Sequence, residues 1–118
     1  AGTGGGQRAA AAGLGEPALL TDEATAGCVL GVLDALTTSA RGAADRHSTE
    51  FVALRQALGY CWSVAAVAAP ERGRALMEKW LADGDPDVRW IMRANLGKTR
   101  LLRMDAEWTA RQLARVRG

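Results

Sequence analysis

The sequence predicts an all-α domain, and three observations carry that expectation. Alanine fills 24 of the 118 positions, and arginine outnumbers lysine thirteen to two. Ala, Leu, Arg, Met and Glu are the strongest helix formers, while β-branched and aromatic strand formers are thin here. Apolar residues also recur every three or four positions over several long windows, which is the helical period. The length suits one domain with a modest core. At 48% hydrophobic and 24% charged residues, the balance is globular and excludes wholesale disorder. We read no apolar run approaching the ~18–20 residues that span a bilayer, so no membrane partner is expected.

Residues 1–16 are rich in Gly and Ala and read as a flexible lead-in to a single helical domain over 17–118. Gln7 to Ala12 could form one or two helical turns. The glycines of the GTGGGQ start lack the spacing and the preceding strand of a phosphate-binding loop. The first long helix is expected from Pro17 to Thr38, with Pro17 tolerated in the first turn. Its stripe is Leu20, Ala24, Cys28, Val32 and Leu36, widened by Leu19, Val29 and Leu33. Gly27 and Gly31, one turn apart, suggest a close helix–helix approach.

The second helix is expected from Ser48 or Thr49 to Ala69. Phe51, Leu54, Leu58, Cys61, Ala65 and Ala68 form its stripe, thickened by Val52, Trp62, Val64 and Val67. Pro70 ends it or opens the third helix, which runs to Ala82 with Leu76, Met77, Trp80 and Leu81 inward. Asp85 then caps a fourth helix with Pro86 at its first position, and Gly97 closes it. Lys98 to Arg103 reads as a short basic connection. Asp105 caps a fifth helix to about Val116, with Trp108, Leu113 and Val116 apolar.

Charge is uneven along the chain. Residues 1–85 hold seven Lys/Arg against ten Asp/Glu, net −3, and residues 86–118 hold eight against three, net +5. A basic C-terminal third is a candidate anion-binding face. The spacing places Arg89 and Arg93 one turn apart, likewise Arg111 and Arg115, with Lys98, Arg100 and Arg103 on the connection. Lined along one groove, Arg93, Lys98, Arg100, Arg103 and Arg111 would make salt-dependent phosphate contacts; splayed outward they would be a solvated surface. Trp90 falls off the Val88–Met92–Leu96 line and is the tryptophan expected to be half exposed.

Catalytic chemistry needs converging reactive groups. The chain has one histidine, His47, in a polar turn. Cys28 and Cys61 have no metal or redox spacing and are expected as two buried thiols. Asp83, Asp85 and Asp87 alternate like the start of a calcium loop but lack its glycine and closing acid, so helix capping explains them better. No catalytic, metal or cofactor residue is expected, and cofactors are expected to be none. No signal peptide is read at the start, so a cytoplasmic location is expected, and the Ala/Arg excess looks like a bacterial coding bias.

One stretch carries a resemblance. Leu76 to Leu101, LMEKWLADGDPDVRWIMRANLGKTRL, is similar to a HEAT repeat: an apolar helix, then D-x-D-P-x-V-R, then a second apolar helix ending near Leu-Gly. Asp83, Asp85, Pro86, Val88, Arg89, Leu96 and Gly97 occupy those places. Thr49 to Gly59 resembles a degenerate earlier unit without the D-P-x-V-R signature. The resemblance implies an α-α superhelix of HEAT/ARM type with about five helices. It gives Asp83, Asp85, Pro86 and Arg89 structural turn roles, with Asp83 and Arg89 hydrogen-bonding along the stack of turns. Such arrays need about three repeats, so the ends would be capped, joined in a homodimer, or continued by more protein.

The run Leu54 to Trp62 is also loosely similar to a helix of the HEAT-like alkylpurine DNA glycosylases. Their length and catalytic residues are not matched here. The function expected is therefore a non-enzymatic interaction module that binds a partner protein on its helical surface. The alternative is a DNA-binding or DNA-repair-like module using the basic third. Under either, Trp90, Arg93, Lys98, Arg100, Arg103 and Arg111 are the candidate contacts.

Overall fold

The computed structural model describes residues 22–117, which form six α-helices and no strand. They are α1 (Glu23–Arg41), α2 (Thr49–Ala68), α3 (Pro70–Leu81), α4 (Pro86–Leu96), α5 (Thr99–Met104) and α6 (Ala106–Arg117). The readings made for the lead-in and for residues 17–21 lie outside the described residues.

Each helix starts where a local acceptor or a proline makes starting cheap. Asp22 has extended backbone angles and accepts the Thr25 N–H at 2.7 Å and the Thr25 hydroxyl at 2.8 Å. Asp22 is therefore not helical itself, and α1 begins at Glu23 and runs on to Arg41 instead of ending at Thr38. Ser48 caps α2 through the Phe51 N–H. Asp85 accepts the Asp87 and Val88 N–H groups ahead of Pro86, as expected. Ala69 alone joins α2 to α3, and Pro70 opens α3. The expected basic connection is itself helical: α5 makes the sixth helix among the described residues, where about five were expected for the chain, and buries Leu101.

The inward faces differ from the sequence reading in two places. On α1 the buried residues are Ala26, Val29, Leu30, Leu33, Leu36, Thr37 and Ala40. Ala24, Cys28 and Val32 lie outside. A strict spacing of four drifts about 40° per step on a helix of 3.6 residues per turn, so that stripe cannot stay on one face. On α2, Val52 and Val67 are exposed, whereas Trp62 and Val64 are buried as expected. Gly27 and Gly31 face the Arg72 guanidinium, not a helix backbone.

The helix α2 is also long and apolar enough, by length and composition, to cross a bilayer, against our reading of the sequence. In this fold 56% of that stretch is buried among the other helices. It is the central element, packed by α1, α3, α4 and α5.

Two helical hairpins result, α1–α2 and α3–α4, stacked in parallel register. Asp34 on α1 accepts from Lys79 Nζ at 2.6 Å and from Trp80 Nε1 at 2.9 Å on α3. Gly59 on α2 meets Trp90 and Ala94 on α4. Asn95, fully buried on α4, donates to Leu58 O at 2.9 Å and accepts the Ser63 N–H at 2.8 Å. Within the first hairpin Trp62 Nε1 donates to Thr37 Oγ1, which donates to Leu33 O. These bonds matter because a buried polar group without a partner costs about 1–3 kcal/mol. The core around them runs from Ala26 and Leu30 through Trp62 and Met77 to Ile91, Leu101 and Trp108. The helix α6 closes the far side against α3, α4 and α5.

Candidate interaction surface

The two hairpin turns stack, and their charges sort there. Arg41 Nε donates to Asp83 Oδ2 at 2.6 Å. Arg46 Nη1 donates to Asp85 Oδ1 at 2.6 Å and to Asp87 Oδ2 at 2.9 Å. The same guanidinium donates to the Ala43 and Arg41 carbonyls, so it is held on both sides. Arg55 Nε stands 2.8 Å from Asp87 Oδ1, too misaligned for a hydrogen bond, and its guanidinium carbon lies 3.8 Å from the centroid of a Trp90 ring. Two acids facing Arg46 hold its pKa above the ordinary arginine value, Asp87 more than Asp85. The Asp85 N–H, and then Arg41, hold the Asp83 carboxyl below the ordinary aspartate value against the opposing effect of burial.

The resemblance therefore assigned one partner wrongly. Asp83 and Asp85 do tie the two turns together, and Pro86 opens α4. Arg89, however, reaches the Val116 carbonyl at the end of α6 and takes no part in the ladder. The ladder's cations are Arg41, Arg46 and Arg55, which sequence reasoning left aside. The signal that could have found two of them was the pair Arg41 and Arg46 flanking the α1–α2 turn, 42 and 39 residues before Asp83 and Asp85; Arg55, within α2, carries no such signal.

At the other end of α4 the cations stand without acids. Two of the three carboxylates of the basic third are already engaged: Asp87 holds Arg46 and Arg55, and Asp105 caps α6 and sits 3.8 Å from Arg74, while Glu107 is exposed in the first turn of α6. No carboxylate among the described residues pairs with Arg93, Lys98, Arg100, Arg103 or Arg111.

Lys98 and Arg100 converge on one aromatic ring. The Lys98 Nζ lies 5.8 Å and the Arg100 guanidinium carbon 4.7 Å from the Tyr60 ring centroid. Arg100 is fixed there by donating to Ser63 Oγ at 2.9 Å, which in turn donates to Tyr60 O at 2.8 Å. Tyr60, missed at the sequence level, is 39% exposed. Arg93 is exposed one turn beyond Trp90 on α4, while Arg103 and Arg111 are exposed on α5 and α6. The structure thus brings two of the five grouped cations together around Tyr60 and shows no contact that unites the others with them.

Beside this cluster runs an exposed stripe of α2. Val52 (41% exposed), Gln56, Tyr60 and Val67 (39%) fall within one quadrant of the helix, next to the side that meets α4. Trp90 borders it, half-buried between Gly59 and Arg55, as its off-stripe position suggested.

Elsewhere, a cleft between α1 and α3 is lined by Glu23, Gly27, Cys28, Gly31, Ala69 and Arg72. Both cysteines are thiols, but only Cys61 is buried. Cys28 is exposed because, with Ala24 and Val32, it lies on the part of the four-spaced α1 stripe that faces away from the core before the stripe reaches it at Leu36. Burial pushes the Cys61 thiol up to about 11. His47 is exposed in its turn, and its N–H donates to Asp45. Among the described residues no three His, Cys, Asp or Glu side chains gather as metal ligands. Comparison with family models, with curated proteins and with solved structures gives no match.

Proposed function

We propose that the chain is a non-enzymatic interaction module of HEAT-like architecture that binds a partner protein on the face made by α2 and α4. One observation carries this reading: the exposed α2 stripe Val52–Gln56–Tyr60–Val67 lies alongside unpaired cations on a rigid, polar-bonded base. An apolar stripe rimmed by charge is the composition of a contact surface, with apolar area for affinity and charge for orientation. The parallel stacking of two hairpins through their turns supports the repeat-like architecture, since each hairpin buries its face against the next.

The test is site-specific photo-crosslinking in cells that express the protein. A photoreactive residue at Val52 or Val67 should give discrete protein adducts. The same residue at Glu78, exposed on α3, should not. Absence of adducts, or identical adducts from all three positions, would overturn the reading.

A second reading rests on Lys98 and Arg100 gathered at an exposed ring. Cations beside a stackable aromatic are the elements of a single-strand or phosphate-binding surface. Anisotropy of labelled DNA at low and near-physiological salt tests it. Salt-sensitive micromolar binding that weakens on Arg100→Ala and Arg103→Ala would favour it over a protein partner.

A further inference from the structure

We infer that the α2–α4 face is a docking groove for an acidic amphipathic helix of a partner protein. This rests on the interaction-module reading and adds the partner's chemistry. The argument starts from charge. Near the turns Asp83, Asp85 and Asp87 are each matched by an arginine, so the cations there are already taken up. At the α4–α5 corner the pairing is absent: Lys98 and Arg100 face Tyr60 with no acid among the described residues, and Arg93 is exposed one helix turn before Gly97. A segment lying here meets positive charge on its α4–α5 side and apolar side chains on its α2 side.

Geometry narrows the occupant further. Val52, Tyr60 and Val67 extend along four turns of α2 on one side. They stand about two turns apart from one another, so a partner helix laid along α2 would meet them with its own apolar face, whose anchors repeat at i, i+3, i+4 and i+7. Gly59 leaves the floor between α2 and α4 without a side chain, so the Trp90 ring fills it and the surface stays shallow. A shallow floor admits a helix's apolar face better than a single inserted side chain. Glutamates flanking that face would pair with Lys98, Arg93 and the outer edge of Arg100. Arg55 takes no part, because Asp87 already holds it. A basic helix of the same apolar pattern would meet like charge, which gives the groove its discrimination.

The test uses the whole chain and three short fluorescein-labelled helical peptides in anisotropy. All carry the same leucine content: one with leucines at i, i+3, i+4 and i+7 flanked by glutamate, one with that pattern flanked by lysine, and one a scrambled glutamate version. The patterned acidic peptide should bind at micromolar Kd, at least about tenfold tighter than the other two. Lys98→Glu and Val67→Ser, both at exposed or half-exposed positions, should each weaken it about tenfold with an unchanged circular dichroism spectrum.

Equal binding of all three peptides, or indifference to both substitutions, overturns the inference. So does a DNA duplex that displaces the acidic peptide, or self-association abolished by the same two substitutions. Each of these assigns the face to another occupant. If crosslinks at Val52 and Val67 capture a protein while no acidic peptide binds, the partner chemistry is wrong and the module reading stands. If both experiments fail, the two fall together.

Discussion

Asn95 ties α4 to α2 with both ends of its amide. Its Nδ2 donates to Leu58 O at 2.9 Å and to Ile91 O at 2.7 Å, and its Oδ1 accepts the Ser63 N–H at 2.8 Å. It is fully buried, so Asn95→Ala opens a cavity and strips partners from buried backbone at once. Urea denaturation should show a loss of about 2–4 kcal/mol, and Asn95→Asp should not rescue it, because Leu58 and Ile91 offer only acceptors. The sequence reading passed over Asn95, because helical spacing shows an amide beside Leu96 but not what it bonds. The cysteines make a second residue-scale contrast. Cys28 is exposed and Cys61 buried, so a thiol reagent should titrate one group in the native state and two in denaturant. Burial holds the Cys61 proton more tightly in the folded state, to about 11 from 9.0. The folded state therefore binds more protons between those values, and stability falls as pH rises through that window. The denaturation midpoint should drop there in the wild type and drop less in Cys61→Ala.

Helices pack as closely here as two glycines permit. A methyl group on Gly73 would sit 2.6 Å from the Ala66 Cα, backbone that cannot swing away because Ala69 alone separates α2 from α3. One on Gly59 would sit 2.9 Å from the Trp90 ring. Alanine gains up to about 1 kcal/mol of helix propensity over glycine, but overpacking costs about 1–3 kcal/mol. Gly73→Ala should therefore lower Tm, and Gly59→Ala should lower it less, since a ring can tilt. Gly84→Ala, with nothing within 4 Å, should leave it within experimental error. The element boundaries were legible where chemistry punctuates the chain: Ser48, Pro70, Asp85–Pro86 and Gly97 all mark them in the sequence. The α5 helix was not legible, because a six-residue TRLLRM segment buries only Leu101 and shows no periodicity. The α1 face was misread for a different reason: Ala24, Cys28 and Val32 are apolar enough for a core, but a spacing of four drifts around the helix, and the buried stripe is the one through Ala26, Leu30 and Leu33. The candidate surface was half legible. Lys98, Arg100 and Trp90 stood out by charge and position, but Tyr60 joined them only through the stacking of α4 and α5 on α2.

Across the whole molecule charge is divided by function of place: paired where the turns stack, unpaired at the α4–α5 corner. The paired end should govern acid stability. Asp83 is held below the ordinary aspartate range by the Asp85 N–H and Arg41, and Asp22 below it by the Thr25 N–H and hydroxyl. A carboxyl with a depressed folded pKa contributes stability that is fully present above its unfolded value, near 3.9. That contribution is lost as pH falls through the lower folded value. Both groups are solvent-screened, so each step is modest. Wild-type stability should thus be level from pH 7 to about 5 on account of these groups and decline below about pH 4. Asp83→Asn should lower stability at pH 7 and flatten the decline, since the amide cannot gain a proton; the two curves should converge at low pH. Salt should reproduce the same loss only weakly, because the Arg46–Asp85–Asp87 contacts are short and partly buried, where ions screen poorly. The unpaired corner should respond the other way. Removing a cation there by Lys98→Gln lowers repulsion with Arg100, so stability should hold or rise slightly by thermal denaturation while peptide binding falls. Opposite signs for stability and binding at one residue would mark the corner as retained for contact and not for folding.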